Sequence, residues 1–392
     1  MNPSQEISIY ASCPPGLEPA LAEELRSLRI RFNPNFDNSE KINVEGEEPG
    51  GVEFKGTLED VFRCNLHLRV ASRVVVRLGS FHASAFSELR KKASRLPWEQ
   101  FITPGENLHF KVTCHKSRLY HSDAVAERVL GAANDHFSQG TNRVCQSEKT
   151  KPGQLVLVRL DRDNCVISID SSGDLLHRRG YRLAAAKAPL RENLAAGIIR
   201  TCGWDGSIPL VDPFCGSGTF PIEAGLIADH IPPGLVRSFQ FTQWPIHQAE
   251  TWLNMLQVAR LGLIHSETPI KGFDRDKGAI EISRANAARA GLLERITFQK
   301  QPISNLDSND PPGWIITNPP YGVRVSEGKD LRDLYARFGS IYRQRFSNWK
   351  LGVLSSDPVL ITNLGLGAPS RIVHLVNGGI PVQLSIFEQS PQ

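Results

Sequence analysis

"IPLVDPFCGSGTFPIEAGLIADHI" occupies residues 208–231. An apolar run closes at Val211, with Asp212 at its carboxyl end. Gly216 and Gly218 follow, and Thr219 opens a second apolar stretch. The pattern predicts a strand, a tight glycine turn and a helix. Glycines at such a turn let the backbone bend and approach a ligand closely. The helix N-terminus then presents free N–H groups to an anion, and Pro221 is tolerated in the first helical turn. A P-loop needs a lysine after its last glycine, and none follows Gly218. The dinucleotide fingerprint needs a glycine or alanine where Pro221 stands, and an acid about 20 residues on. The next strand-ending acid, Asp274, comes far later. These departures point away from phosphate-bearing cofactors and towards a ligand with a small carboxylate and a ribose. Its amino-acid end would sit on residues 216–219 and its ribose hydroxyls on Asp274. Tight packing of the turn alone is the competing explanation.

The same alternation surrounds this stretch. "PLRENLAAGIIRTCG" (189–203) predicts a helix stopped by Gly203. "IKGFDRDKGAIEISRANAARAGL" (270–292) repeats strand, turn and helix, and "WIITNPPYGV" (314–323) does so more loosely. Alternating β and α units predict a parallel, doubly wound sheet. Upstream, "EISIYASCPPGLEPALAEELRSL" (6–28) reads as strand, turn and amphipathic helix, with Leu17, Leu21, Leu25 and Leu28 on one face. Residues 33–51 predict a loop or hairpin, and "GGVEFKG" a short strand. "TLEDVFRCNLHLRVASRVVVRLGSF" (57–81) predicts a helix running into a strand, with Thr57 as N-cap and Asp60 closing an acidic capping box. Strands and helices alternate again to residue 170, as small α+β units.

The bulk properties are those of a soluble globular protein of two or three domains: 392 residues, 40% hydrophobic, 22% charged. A net charge of +4 is compatible with nucleic acid. Absence of an apolar run of about 18 residues predicts no membrane span, and the N-terminus shows no secretory pattern. Seven scattered cysteines without C-x-x-C predict reduced thiols in a cytoplasmic protein, with no zinc site. His109, His115 and His121 show no ligand spacing, so no metal is expected. Nothing in the sequence sets an oligomeric state.

At the end of the strand 314–317 stand Asn318, Pro319, Pro320 and Tyr321. The prolines fix φ and supply no N–H. Asn318 offers an acceptor oxygen and a donor amide, and Tyr321 a flat face. A stiff acceptor pair beside an aromatic ring can hold a planar amino group. A turn with Asn as turn former is the plainer alternative.

D-P-F-C-G-S-G-T followed by N-P-P-Y-G resembles the S-adenosylmethionine-dependent amino-group methyltransferases. "HRRGYRLAAAKAPLRENLAAGII" (177–199), "DPFCGSGTFPIEA" (212–224), "IPPGLVRSFQFTQWP" (231–245) and "NPPYGVRV" (318–325) resemble the THUMP-carrying guanine-N2 RNA methyltransferases. "CPPGLEPALAEEL", "LRVASRVVVRL" and "KSRLYHSDAVAERV" look like the ferredoxin-like and THUMP regions of the bacterial enzymes that modify 23S ribosomal RNA. The resemblance covers nearly the whole chain. It implies a ferredoxin-like domain over 1–55, a THUMP RNA-binding domain over 56–170, a linker over 171–190 and a Rossmann-like methyltransferase domain over 191–392. It implies S-adenosylmethionine held by Asp212, Pro213, Phe214, Gly216, Ser217, Gly218, Thr219, Asp274, Arg275 and Ile303. Asn318, Pro319, Pro320 and Tyr321 would be catalytic. The substrate implied is RNA, ribosomal RNA first and transfer RNA as the alternative; an adenine-N6 methyltransferase and a non-catalytic RNA-binding protein are the competing readings. In one place the sequence departs from the family. "ITFQKQPISNL" (296–306) puts Pro302 where an acid usually reads the adenine, leaving the backbone near Ile303 or the Ser304 hydroxyl for that task. Three basic groups are candidates for RNA phosphates: Arg90, Lys91, Lys92 and Arg95; Lys116 and Arg118; Arg178, Arg179 and Arg182. A solvated helix face or linker would explain each equally well.

Overall fold

The computed structural model describes residues 6–30, 50–138, 143–182, 190–321 and 331–388. The loop or hairpin expected over 33–51 falls almost wholly outside them. So do residues 183–189 of the expected linker and residues 322–325 of N-P-P-Y-G-V-R-V.

Two sheets organise the chain. The first has the order β2-β1-β3-β6-β5-β4, from β1 (Ile7–Ser12), β2 (Gly51–Gly56), β3 (Arg73–His82), β4 (Leu108–His115), β5 (Gln154–Asp161) and β6 (Asn164–Asp170). Only β4 and β5 pair in parallel among these strands. The sheet runs unbroken past residue 55, because β3 lies between β1 and β6. Helices α1 (Glu18–Ser27), α2 (Leu58–His67), α3 (Phe86–Ala93) and α4 (Ser122–Phe137) accompany it. The capping box of α2 is present. Asp60 N donates to Thr57 Oγ1, and Thr57 N to Asp60 Oδ2 at 2.9 Å. Leu17, Leu21 and Leu25 are fully buried, as their helical spacing predicts.

The second sheet has the order β12-β13-β11-β10-β7-β8-β9. Its strands are β7 (Leu210–Asp212), β8 (Ile270–Asp274), β9 (Thr297–Lys300), β10 (Trp314–Thr317), β11 (Lys350–Ser355), β12 (Arg371–Asn377) and β13 (Ile380–Phe387). The strands from β9 to β11 are parallel, and the β12–β13 hairpin joins one edge antiparallel. Chain order reverses between β7 and β10, so these neighbours form the switch point of a doubly wound sheet. The accompanying helices are α5 (Glu192–Thr201), α6 (Thr219–Ala228), α7 (Ala249–Leu261), α8 (Lys277–Arg289), α9 (Arg332–Arg345) and α10 (Pro358–Thr362). Every residue of α6 is buried, which fits its almost wholly apolar sequence.

One hydrophobic core runs through both halves. Leu17 packs so closely on α5 that a Cβ at Gly197 would meet its Cδ1 at 2.4 Å. Buried polar groups reinforce the junction. Arg69 donates to the carbonyls of Leu226 and Ile231, at 2.9 and 2.8 Å. Glu24 accepts from the backbone N–H groups of Arg69 and Val70, and Arg200 lies 3.7 Å from it. No helix among the described residues is long and apolar enough to cross a membrane.

Candidate functional site

The carboxyl ends of β7, β8 and β10 open into a cleft of about 950 Å³. The turn between β7 and α6 forms its floor. Asp212 is 2% exposed and accepts from Thr317 Oγ1 at 2.6 Å and from the Phe214 N–H at 3.1 Å. Burial pushes its carboxyl up to about 7, against the pull of these two donors, and the nearby Asp274 charge adds to the rise. Asp274 accepts from the N–H groups of Gly216 and Asp276, at 3.1 and 2.9 Å. The ends of β7 and β8 are thus fastened to each other through the turn.

The two glycines differ in what surrounds them. Gly216 has φ +53°, and a Cβ there would meet nothing within 4 Å; it lines the cleft. Gly218 has φ +82°, but its Cβ would come within 2.9 Å of Ser283 and 3.1 Å of the Phe298 ring. So Gly216 leaves room for a ligand, whereas Gly218 lets α6 pack on α8 and β9. Asp212, Pro213, Phe214, Ser217, Thr219, Asp274, Arg275 and Ile303 all line the cleft, together with Pro302 and Ser304.

Opposite the turn lie Asn318, Pro319, Pro320 and Tyr321, all on the cleft wall. Asn318 Oδ1 is buried and has no hydrogen-bond partner among the described residues. A buried acceptor left unpaired costs free energy, which makes it, at the lip of a cleft, a candidate to receive an incoming donor. Tyr335 Oη approaches the Pro320 carbonyl at 3.4 Å. Asn377 Nδ2 donates to Tyr321 Oη at 3.2 Å, and burial raises the tyrosine's pKa. Asn377, Gly378 and Ile380, from the turn between β12 and β13, complete this wall with Asp333 and Arg337 of α9. Nothing in the local sequence singles out these five, since neither a hairpin tip nor one turn of an amphipathic helix carries a motif.

The basic residues divide. Lys91, Lys116, Arg118 and Arg178 are exposed. Arg90 is engaged with both carboxylate oxygens of Asp135, and Lys92 with Glu88 and the His82 carbonyl. Two of the expected phosphate contacts are corrected by the fold. Arg179 is 4% exposed, donates to the carbonyls of Leu176 and Arg69, and lies 3.6 Å from Glu223. Arg182 turns inward to Thr219 and the Leu190 carbonyl. Buried carboxylates on α5 and α6 attract both guanidinium groups away from solvent. His109 approaches the Lys151 carbonyl and His115 approaches Asp161. Among the described residues no three His, Cys, Asp or Glu side chains are gathered as for a metal ion.

Residues 179–386 match the family described as "RMKL-like, methyltransferase domain". Residues 8–75 match an RlmL ferredoxin-like domain and residues 83–170 a THUMP domain. A ribosomal RNA large subunit methyltransferase K/L of Syntrophotalea carbinolica is 36% identical over 98% of this chain and 54% of its own length. The chain thus spans about half the length of such K/L relatives. A putative RNA methyltransferase of Synechocystis sp. is 32% identical, over 97% of this chain and 96% of its own. A putative methyltransferase crystallised in complex with SAH superposes with a TM-score of 0.88. It is 29% identical, and the match covers 99% of both chains.

Proposed function

The chain belongs to the RMKL-like methyltransferase family, and from that premise we propose that it methylates the exocyclic N2 of a guanine in RNA, with S-adenosylmethionine as donor. The observation that carries the reading is the unpartnered Asn318 Oδ1 beside two prolines that offer carbonyls and no N–H. The residues present fit the donor. The space over Gly216 admits a ligand against the backbone, α6 presents its N-terminus to a carboxylate, and Asp274 stands at the end of β8 for ribose hydroxyls. When bound, S-adenosylmethionine supplies a methyl group on a positively charged sulfur.

Guanine N2 is a weak nucleophile, because its lone pair is delocalised into the ring. Asn318 Oδ1 and the Pro319 carbonyl accept its two N–H bonds. They fix the nitrogen in line for transfer and favour the positive charge that develops on it. Tyr321 supports the purine face, with its hydroxyl tied to Asn377. The proton leaves to water after transfer. A base inside a helix cannot reach this wall, so the target guanine is unpaired or flipped out. Residues 1–170 deliver the RNA and residues 191–392 perform the chemistry, with Lys91, Lys116, Arg118 and Arg178 facing phosphates. Ribosomal RNA is the substrate favoured by the named relatives, and transfer RNA is the alternative.

The test is incubation with unmodified ribosomal RNA and labelled cofactor, then digestion and nucleoside analysis. N2-methylguanosine is the expected product. N6-methyladenosine would overturn the guanine assignment, because an adenine amino group satisfies the same two acceptors.

A further inference from the structure

Arg182 has no contact with solvent of the kind that a phosphate-binding arginine needs. Its side chain is 11% exposed, and its Nε lies 3.4 Å from Glu192 Oε1. Nη2 donates to the Leu190 carbonyl and to Thr219 Oγ1, both at 2.8 Å. Leu190 and Thr219 line the cleft, and Thr219 is the first residue of α6. A guanidinium can only donate, whereas a hydroxyl has one proton and two lone pairs. With Arg182 occupying a lone pair, the Thr219 proton is left to find an acceptor. Ser217 Oγ lies 3.5 Å away, too far for a good hydrogen bond.

We propose that Arg182 is a positioning residue: it fixes the Thr219 hydroxyl as a donor into the cleft, aimed at the carboxylate of the cofactor's amino-acid end. This inference rests on the cofactor reading above. The relay runs from a cation through a hydroxyl to an anion, so each hydrogen bond polarises the next. Nη2 reaches Leu190 and Thr219 while Nε, on the other edge of the same rigid plane, faces Glu192, a fixed geometry that an ammonium on a flexible stem does not hold. Arg182 thereby fixes the position of the residue 190 carbonyl as well as the orientation of the hydroxyl.

The experiment is calorimetric titration of the full chain with S-adenosylhomocysteine and with 5′-methylthioadenosine, which keeps the nucleoside and lacks the carboxylate. For Arg182→Met, affinity for S-adenosylhomocysteine should fall about ten- to hundredfold, as for loss of a hydrogen bond to a charged group. Affinity for methylthioadenosine should stay within about twofold, the scatter expected of an independent site. Arg182→Lys, which keeps the charge, should fall between wild type and Arg182→Met, and it carries the test if Arg182→Met does not fold. Thr219→Val should reproduce the selective loss, and adding Arg182→Met to it should cost no more. Equal losses for both ligands, no loss for either, or full additivity in the double variant would overturn the inference. Failure of the unmodified chain to bind either ligand would overturn the cofactor reading itself, and the inference with it.

Discussion

Thr317 closes β10 and donates its hydroxyl proton to Asp212, which closes β7, at 2.6 Å. The bond fastens the two strand ends on which the opposite walls of the cleft are built. Burial holds the folded pKa of Asp212 at about 7, against an ordinary 3.8. Between pH 4 and 7 the folded chain therefore keeps a proton that the unfolded chain has released. The contribution of this group to stability falls as pH rises through that window and is flat above it. Asp212→Asn removes the ionisation. Its stability relative to wild type, from urea unfolding, should be greater at pH 8 than at pH 5 by roughly 2 kcal/mol. Thr317→Val removes a donor that favours the ionised form. It should cost about 1–3 kcal/mol, with the greater loss at pH 8. Equal effects at the two pH values would exclude a raised pKa at Asp212.

Asn318→Ala separates chemistry from folding. Removing one of two acceptors aimed at the transition state should lower the rate about 10²- to 10³-fold. Asn318 Oδ1 has no hydrogen-bond partner among the described residues, so the melting temperature should hold or rise. Affinity for S-adenosylhomocysteine should change little. A large drop in melting temperature would show that Asn318 serves the fold.

The glycine turn gives a paired test. Alanine at either position pays for a left-handed backbone, about 1–2 kcal/mol. At Gly218 the new Cβ also meets Ser283 and Phe298, whereas at Gly216 it meets open space. Gly218→Ala should therefore lower the melting temperature more than Gly216→Ala. Gly216→Ala should lose more cofactor affinity for a given loss of stability. Calorimetry and thermal melts on both variants read the two effects side by side.

Arg69 joins the two halves of the chain through the carbonyls of Leu226 and Ile231 and the carboxylate network around Glu24. Burial raises the pKa of Glu24, while Arg200 and Arg69 hold it down. Arg69→Met takes the guanidinium donor from the Ile231 carbonyl, leaves the Leu226 carbonyl with the Ile231 N–H alone, and leaves a buried carboxylate short of a cation. Unfolding free energy should fall by about 3–5 kcal/mol, the range for breaking a buried charge pair. A loss under 1 kcal/mol would mean that water enters the junction.

Much of this was legible in the sequence because it is local. The turn at 212–219 announces itself by an apolar strand, two glycines and a helix within one stretch, and the wall at 318–321 by its prolines. What the sequence hides is tertiary. "HRRGYR" carries the same charge whether it faces solvent or the core. The partners that draw Arg179 and Arg182 inward, Glu223 and Glu192, sit on helices that only folding brings near. Gly218 reads as a ligand contact by spacing alone, yet Ser283 and Phe298 claim the space beside it. Asn377 reaches Tyr321 from a hairpin at the far edge of the sheet, a pairing no local pattern encodes.

The unbroken first sheet, and the core that carries it into the second, have a metrical consequence. If the N-terminal half grips RNA, the grip cannot swing freely towards or away from the cleft, because Leu17, Gly197 and Arg69 lie across the junction. The span between gripped element and target base is then set by the folded chain, as by a ruler. Such an enzyme would choose its nucleotide by offset from a landmark as much as by the letters around it. Lengthening the RNA between landmark and target would move the methyl group to whichever guanine falls under the mark, or abolish transfer when none does.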